Sequence, residues 1–334
     1  MKGMILAAGL GTRLYPLTAF RAKPAVPFLS RPLIHHAIHL ISGLGTRTIV
    51  VNLHHLPETV TSAVRRYRAE KNQGLENLRI EFSEERHILG TAGGVWAARD
   101  RLDTDDVVVI NGKIYAELDL SQVLTNHRSR GALVTLVVVP RPPGSPFNPV
   151  RVDSNSRVLG FGPWGPGERY AFTGIQIMKQ AVVNRLREGP LDLVRDVYPM
   201  LLKERDVVEA HISRRLWCEC STPARYLQGS LQVLEKSSEP WAAGRFSKPN
   251  QGLILGSGCS IGAGSDVRDT ILWDRVRIGK NCMVRNAIIC SGVRLPDSLR
   301  LTNAIVTPMF DPGPASPVQP TSEEGCLIWP LLQE

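Results

Sequence analysis

Short apolar runs alternate with amphipathic stretches along the first two thirds of the chain. Met4-Ile-Leu-Ala-Ala8 is continuously apolar and closes on a glycine, the pattern of a strand buried on both faces. Between residues 31 and 41 the apolar positions fall instead at 33, 34, 37, 38, 40 and 41, which predicts an amphipathic helix stopping at Gly43. Thr48-Ile-Val-Val-Asn-Leu53 is a second β-rich run, a helix follows to about Glu70, and residues 78–83 read as a third strand. Asp106-Val-Val-Val-Ile-Asn-Gly112 and the apolar residues 132–139 are further buried strands. Residues 150–159 read as a hairpin turning at 153–156, and residues 193–204 as a helix interrupted near Pro199. Strands alternating with helices predict a three-layer, Rossmann-like α/β domain around a mixed, mainly parallel sheet.

The pattern changes beyond residues 240–249, a Pro/Gly/Ser-containing stretch that predicts a linker. Leu255, Ile261, Val267 and Trp273 recur every six residues, as do Ile278, Val284 and Cys290 after a slip of one residue. Gly256, Gly262 and Gly279 directly follow their aliphatic partners. An inward aliphatic with a small residue at each corner predicts a parallel β-helix. No histidine lies among residues 255–306, which argues against acyl transfer and favours self-association or regulation as the role of the coil. Past Pro308 the chain is Pro-rich until the apolar end Cys326-Leu-Ile-Trp-Pro-Leu-Leu332, which should dock. The expected organisation is an α/β domain at 1–240, a linker at 241–250, a β-helix at 251–306 and a tail at 307–334.

Composition narrows the choice of partners. A length of 334 residues suits two domains, and a net charge of +9 with interspersed acids and bases fits anionic small molecules. No basic block with interleaved aromatics points to nucleic acid, and Arg65-Arg-Tyr-Arg68 reads as a solvated helix face. The opening Met1-Lys-Gly3 and its apolar run superficially suggest a leader, but Arg13 interrupts it, and no stretch reaches membrane-spanning length. Six cysteines without regular pairs predict a reducing, cytoplasmic setting with thiols as apolar fillers. Cys218 and Cys220 flank Glu219 at no zinc spacing, and His35, His36 and His39, without an acidic partner nearby, read as surface or packing residues.

The candidate chemistry begins at the first glycine turn. Gly9 and Gly11 let backbone N–H groups approach an anion, and Arg13 and Lys23 add two cations beside them. Neither a P-loop nor a dinucleotide fingerprint fits the spacing. Gly9-Leu-Gly-Thr-Arg-Leu-Tyr-Pro-Leu-Thr18 with Ala22-Lys-Pro24 and Pro27 resembles the signature of the sugar-phosphate nucleotidylyltransferases, the NDP-sugar pyrophosphorylases. Leu89-Gly-Thr-Ala-Gly-Gly94 resembles that family's nucleobase-holding element, and Ala171-Phe-Thr-Gly-Ile-Gln-Ile177 its strand at the sugar. By pattern alone, the former reads as bare backbone just ahead of a helix from Val95.

The resemblance implies transfer from a nucleoside triphosphate to a sugar 1-phosphate, giving an NDP-sugar and pyrophosphate. It assigns catalysis to Arg13 and Lys23, which Lys113 joins on grounds of charge alone, and nucleotide contacts to Leu6, Ala8, Gly9, Gly11, Thr12, Glu85, Gly90, Thr91, Ala92 and Gly93. Asn111, Gly112, Thr173 and Gly174 would face the sugar phosphate. The family's magnesium is held by two aspartates, but here the matching positions are Lys113, after Asn111-Gly112, and Glu219 in Leu216-Trp-Cys-Glu-Cys-Ser-Thr-Pro-Ala-Arg-Tyr226. One Lys and one Glu sum to the same charge as two carboxylates and a divalent ion, so Lys113 is expected to pair with Glu219. Glu117 or Asp119 could be recruited as a metal ligand instead, or catalysis could be lost and binding kept, leaving a silent regulatory subunit that binds a nucleotide sugar. Gly162-Pro-Trp164 replaces the family's Glu-Lys-Pro, so that contact to the sugar phosphate is either missing or supplied by Arg151 or Arg169. Val26-Pro-Phe28 and Leu89-Gly-Thr-Ala-Gly93 lean toward guanylyl transfer to mannose 1-phosphate, Ala7-Ala-Gly9 toward uridylyl or thymidylyl members. A left-handed hexapeptide coil is attached to many members, and a homo-oligomer formed through it is expected.

Overall fold

Strand residues that alternate between two apolar faces build a sheet with a core on each side. In the computed structural model, which describes residues 1–70, 77–141, 146–236, 251–312, 318–323 and 325–332, this happens in a nine-stranded sheet. Met4, Val107 and Val109 point into one buried cluster with Val95, Ala98 and Val182, while Ile5, Val108 and Ile110 point into the other with Ile34, Ile38 and Val60. Helix Leu33–Ser42 buries Ile34, Ile38 and Ile41 on one face, and His35 bonds the Ala63 carbonyl at 2.7 Å, a packing role as the sequence suggests.

The order of the strands positions the site. From Lys2–Leu6 the chain moves outward in one direction to Thr48–Leu53 and Arg79–Glu84, all parallel. It then returns to lay Asp106–Asn111 on the opposite side of Lys2–Leu6, again parallel, with Leu6 beside Asn111. This reversal is a topological switch point, and the carboxyl ends of its two strands bound a crevice. The long strand Glu168–Lys179 runs antiparallel to Asp106–Asn111, to Val134–Pro140 and to Pro149–Val152. Pro149–Val152 and Val158–Phe161 form the expected hairpin, whose turn is closed by Asp153 accepting from the amides of Asn155 and Arg157 at 2.9 and 2.8 Å.

Contacts divide the chain into two compact units, one of Met1–Leu10, Ala22–Ala25 and Leu33–Trp217, the other of Gly11–Arg21, Val26–Pro32 and Cys218–Glu334. The expected linker at 241–250 lies outside the described residues. In the second unit, parallel strands Leu253–Leu255, Asp266–Leu272, Met283–Ile289 and Arg300–Pro308 stack into a coil. Leu255, Leu272, Ile289 and Val306 stand in register, 17 residues apart. The period therefore differs from the sequence reading, which put Trp273 and Cys290 at these positions. Asp269, Asn286 and Asn303 adopt left-handed backbone (φ 48°, 49° and 52°) and bend each strand, so the next inward side chain arrives after five residues rather than six. Asp and Asn accept this conformation more readily than other non-glycine residues.

Trp273 and Cys290 are displaced to the outer face and remain buried there. Trp273 donates to the Tyr226 hydroxyl at 2.9 Å, on helix Pro223–Lys236, and burial pushes the Cys290 thiol up to about 12. The apolar end docks as expected, with Cys326–Pro330 antiparallel to Arg300–Pro308. Near 193–204 a widened turn at Leu193–Val197 leads into helix Tyr198–Lys203. Pro199 therefore starts a helix instead of interrupting one.

One buried ionisable cluster of the first unit sets an acid limit on its stability. Asp106 accepts from Lys179 at 2.8 Å and Arg128 at 2.7 Å, and His127, fully buried beside it, bonds Thr135 at 2.8 Å. Burial alone would raise the Asp106 carboxyl, but the hydrogen bonds from Lys179 and Arg128 outweigh it and hold it low. Burial pushes the His127 imidazole down to about 4, with Asp106 opposing. Between that value and its unfolded one near 6.5 the unfolded chain binds the extra proton, so stability falls as pH drops through this window. Wild type should lose roughly 2 kcal/mol more than His127→Asn between pH 7 and pH 5 in urea unfolding. An equal loss in both proteins would contradict this.

Candidate active site at the switch point

A buried polar chain organises the crevice in the first unit. Just past the first strand, the Ala7 amide donates to Asn52 Oδ1 at 2.6 Å, and Asn52 Nδ2 donates to Glu85 Oε1 at 2.7 Å. Glu85 Oε2 accepts the Leu89 amide at 3.1 Å. Three strand ends are thereby tied across the sheet, and the following residues Gly9 and Leu10 are left exposed. Glu85 is only 6% exposed and both its oxygens serve this brace. Asn52 was missed, although a lone amide in the apolar run 48–53 was its signal.

Residues 90–94 do not precede a helix, as the sequence reading had it. They are its first turns, in helix Gly90–Ala97. A Cβ at position 94 would sit 2.7 Å from Asn52 Nδ2 and 2.8 Å from Glu85 Oε1, so only glycine lets the helix seat on the brace. The Ala92 and Gly93 amides both donate to the Leu191 carbonyl, at 2.9 and 3.2 Å, and the Thr91 hydroxyl donates to Asp192 at 3.1 Å. These orphan N–H groups of the helix start are thus satisfied internally. Gly90 and Thr91 keep some exposure, while Ala92 and Gly93 are buried.

Beside Leu6, the Gly112 amide donates to the Leu6 carbonyl at 2.9 Å, continuing the parallel ladder past Asn111. Gly174, at φ 82° in an irregular stretch of the long strand, brings its backbone against Asn111, where a Cβ would lie 2.4 Å from Nδ2. Asn111, Gly112 and Gly174 therefore cluster at one strand end. Thr173 is turned inward, its hydroxyl donating to the Val137 carbonyl at 2.7 Å and its carbonyl accepting from Trp217 at 3.0 Å. Arg151 and Arg169, offered by the sequence as sugar-phosphate contacts, bond the carbonyls of Pro166 and Pro163 and hold the turn there. Lys23 is buried in the turn Lys23–Ala25, and Lys113 is partly buried in the turn between strands Asp106–Asn111 and Ile114–Ala116.

The second unit holds the rest of the signature. Gly11 has φ 73° and caps a tight turn, Thr12–Leu14, on which Thr12 and Arg13 are exposed. Arg13 lies 3.4 Å from the Ser221 hydroxyl, which donates to Glu219 Oε1, and Arg225 donates to Glu219 Oε2 at 3.0 Å. Glu219 is thus the buried centre of a charged cluster whose other side is the guanidinium of Arg225, a residue the sequence reading left unused. Its signal was a basic residue in the first turn of the helix that follows Glu219 in the matched motif.

This donor set does not fit a magnesium site built on Glu219, because its two oxygens face a hydroxyl and a guanidinium. Glu117 accepts from the Tyr115 hydroxyl at 2.9 Å, and Asp119 caps helix Leu120–Ser129 through the Ser121 amide at 2.9 Å. Among the described residues no three His, Cys, Asp or Glu side chains gather as a metal would require.

Residues 2–236 match the family model described as nucleotidyl transferase, and residues 250–304 match the GlmU-like C-terminal hexapeptide model. Similar proteins include the mannose-1-phosphate guanylyltransferase of Mycobacterium tuberculosis, 28% identical over 300 residues, covering 84% of this chain and 81% of that one. The mannose-1-phosphate guanyltransferase of Schizosaccharomyces pombe is 29% identical over 296 residues, covering 84% and 74%. Among solved structures, HddC from Yersinia pseudotuberculosis, also solved in a complex with GMP-PN, has a TM-score of 0.58 at 20% identity. The match covers 70% of this chain and 99% of that one, a likeness in fold. With one family model spanning the glycine turn, the brace and the cluster around Glu219, the chain belongs to the nucleotidyl transferase family.

Proposed function

We propose that the chain transfers a nucleotidyl group from a nucleoside triphosphate to a sugar 1-phosphate, with GTP and mannose 1-phosphate the pair its relatives' names favour. UTP or dTTP with a hexose 1-phosphate is the variant that Ala7-Ala-Gly9 favours. The observation that carries this reading is the switch point, where the glycine turn after Lys2–Leu6 and Asn111-Gly112 after Asp106–Asn111 leave adjacent strands at their carboxyl ends. An oxygen of the sugar phosphate attacks the α-phosphorus in line. The bond to the bridging β-phosphate oxygen breaks, and its electron pair leaves with pyrophosphate. Amides of residues 9–12 and the Arg13 guanidinium stabilise the departing charge, and Lys23 and Lys113 steady the phosphates. Leu6, Ala8, Gly90 and Thr91 offer the base its surface, and Asn111 with the backbone at Gly174 receives the sugar. Thr173 takes part through its backbone only.

The family's divalent ion would supply charge neutralisation at the phosphates. The chemistry of Glu219 argues that Arg225 takes that ion's place at the carboxylate, leaving Arg13 to offset charge at the phosphates. The same engagement of Glu219 favours a second reading, a silent subunit that binds a nucleotide sugar. Pyrophosphate release, screened over nucleoside triphosphates and sugar 1-phosphates, separates the two: binding without release in every combination supports the silent subunit. The hexapeptide coil would carry homo-oligomer contacts in a cytoplasmic setting, and the six free thiols accord with that setting.

Arg13→Ala should lower kcat/KM by about 100-fold or more, as removal of a transition-state charge partner does, with urea stability near wild type. Turnover within a few-fold of wild type would count against the assigned role. Arg225→Met strands a buried carboxylate and should cost about 3 kcal/mol of stability in urea unfolding. Glu219→Gln in the same chain should recover most of it, and absence of recovery would show that the pair is not the source of the loss.

A further inference from the structure

The segment Gly11–Arg21 carries Arg13 yet belongs with the C-terminal half of the chain. Its own backbone bonds are successive tight turns, Leu14 to Gly11 at 2.9 Å, Leu17 to Leu14 at 3.0 Å and Ala19 to Pro16 at 3.0 Å, with the Thr18 hydroxyl closing back on the Gly11 carbonyl at 3.1 Å. Turns of this kind fix local shape but not placement. Placement comes from side chains. The Tyr15 ring meets Trp329 edge-on at 5.4 Å and Phe310 at 6.2 Å, and Phe20 meets Phe310 at 5.0 Å. Phe310 and Trp329 stack on each other at 5.8 Å and 24°. At the far end of the segment, the Arg21 guanidinium lies 4.8 Å over the Trp273 ring.

The aromatic receiver is itself rigid. Trp329 is 2% exposed, sits opposite Ile305 in the antiparallel pair with Arg300–Pro308, and donates to Thr307 at 3.1 Å. Edge-to-face geometry has an angular preference that plain apolar contact lacks, so a ring held in this way orients what rests on it. We propose that the C-terminal hairpin is a clasp: Phe310 and Trp329, gripping Tyr15 and Phe20, are positioning residues for the segment that presents Arg13. The coil and tail then belong to the apparatus that sets the charge at the phosphates, beyond any role in self-association. Arg21 on Trp273 anchors the same segment to the coil. The consequence for turnover rests on the function proposed above, whereas the ordering of the segment does not.

Hydrogen exchange of residues 11–21 and binding of a non-hydrolysable GTP analogue, both on the full chain, test the clasp. Phe310→Ala and Trp329→Ala should speed exchange at Leu14, Leu17 and Ala19 by about tenfold or more and weaken the analogue by a similar factor. Trp329→Phe should restore both. Leu301→Ala, in the coil interior, should lower the urea midpoint and leave exchange in 11–21 as it was. Exchange unchanged in both alanine variants overturns the clasp, as does equal acceleration in Leu301→Ala, which would point to general loosening of the coil. If exchange rises as expected while wild type binds no nucleotide, the clasp stands and the catalytic reading falls. If wild type binds the analogue, Arg13→Ala does not, and the two alanine variants behave as wild type, the reverse holds.

Discussion

The hydrogen-bond chain from the Ala7 amide through Asn52 to Glu85 and the Leu89 amide is the constraint on which the crevice depends. Ala7, Asn52 and Glu85 are buried, and an unpaired donor or acceptor is costly there, so each bond requires the next. The chain ties the first strand's exit, the second strand's end and the approach to helix Gly90–Ala97 into one frame. That frame decides where the glycine turn leaves the sheet. It also explains why position 94 admits no side chain: a Cβ there would displace the amide and carboxylate that hold the frame together.

Arg13, far from residues 219–225 in sequence, stands with Ser221, Glu219 and Arg225 in the second unit. A carboxylate that is hydrogen-bonded to a guanidinium and a hydroxyl has its charge already matched, and its affinity for a divalent ion falls accordingly. Arg225 thus meets the Glu219 carboxylate with resident charge on the chain, where a divalent ion would bring mobile, hydrated charge. The aromatic clasp extends the same logic, because a fixed charge is useful only when the segment that bears it is held still.

Much of this architecture is legible in the sequence because it rests on period and composition. The apolar runs at 4–8, 48–53 and 106–111, the amphipathic helix after residue 31 and the hexapeptide repeat all follow from burial, which a linear pattern records directly. What escaped depends on partners distant in sequence. Asn52 looks like one more strand residue until residues 7 and 85 are seen to meet it. The start of helix Gly90–Ala97 is set by the Leu191 carbonyl, about a hundred residues away, which takes the amides that glycine-rich sequence suggests are open. Trp273 was assigned inward because a strict period of six ignores the left-handed bend at Asp269. Thr173 carries the right residue type for a sugar contact, yet Val137 claims its hydroxyl.

The most direct test of the central claim is a crystal structure of the full chain with a non-hydrolysable GTP analogue. The account predicts phosphate oxygens within hydrogen-bond reach of the amides of residues 9–12 and of the Arg13 guanidinium, with the ribose leading toward Gly90 and Thr91. A triphosphate seated elsewhere, or one with Arg13 turned away from it, would contradict the account.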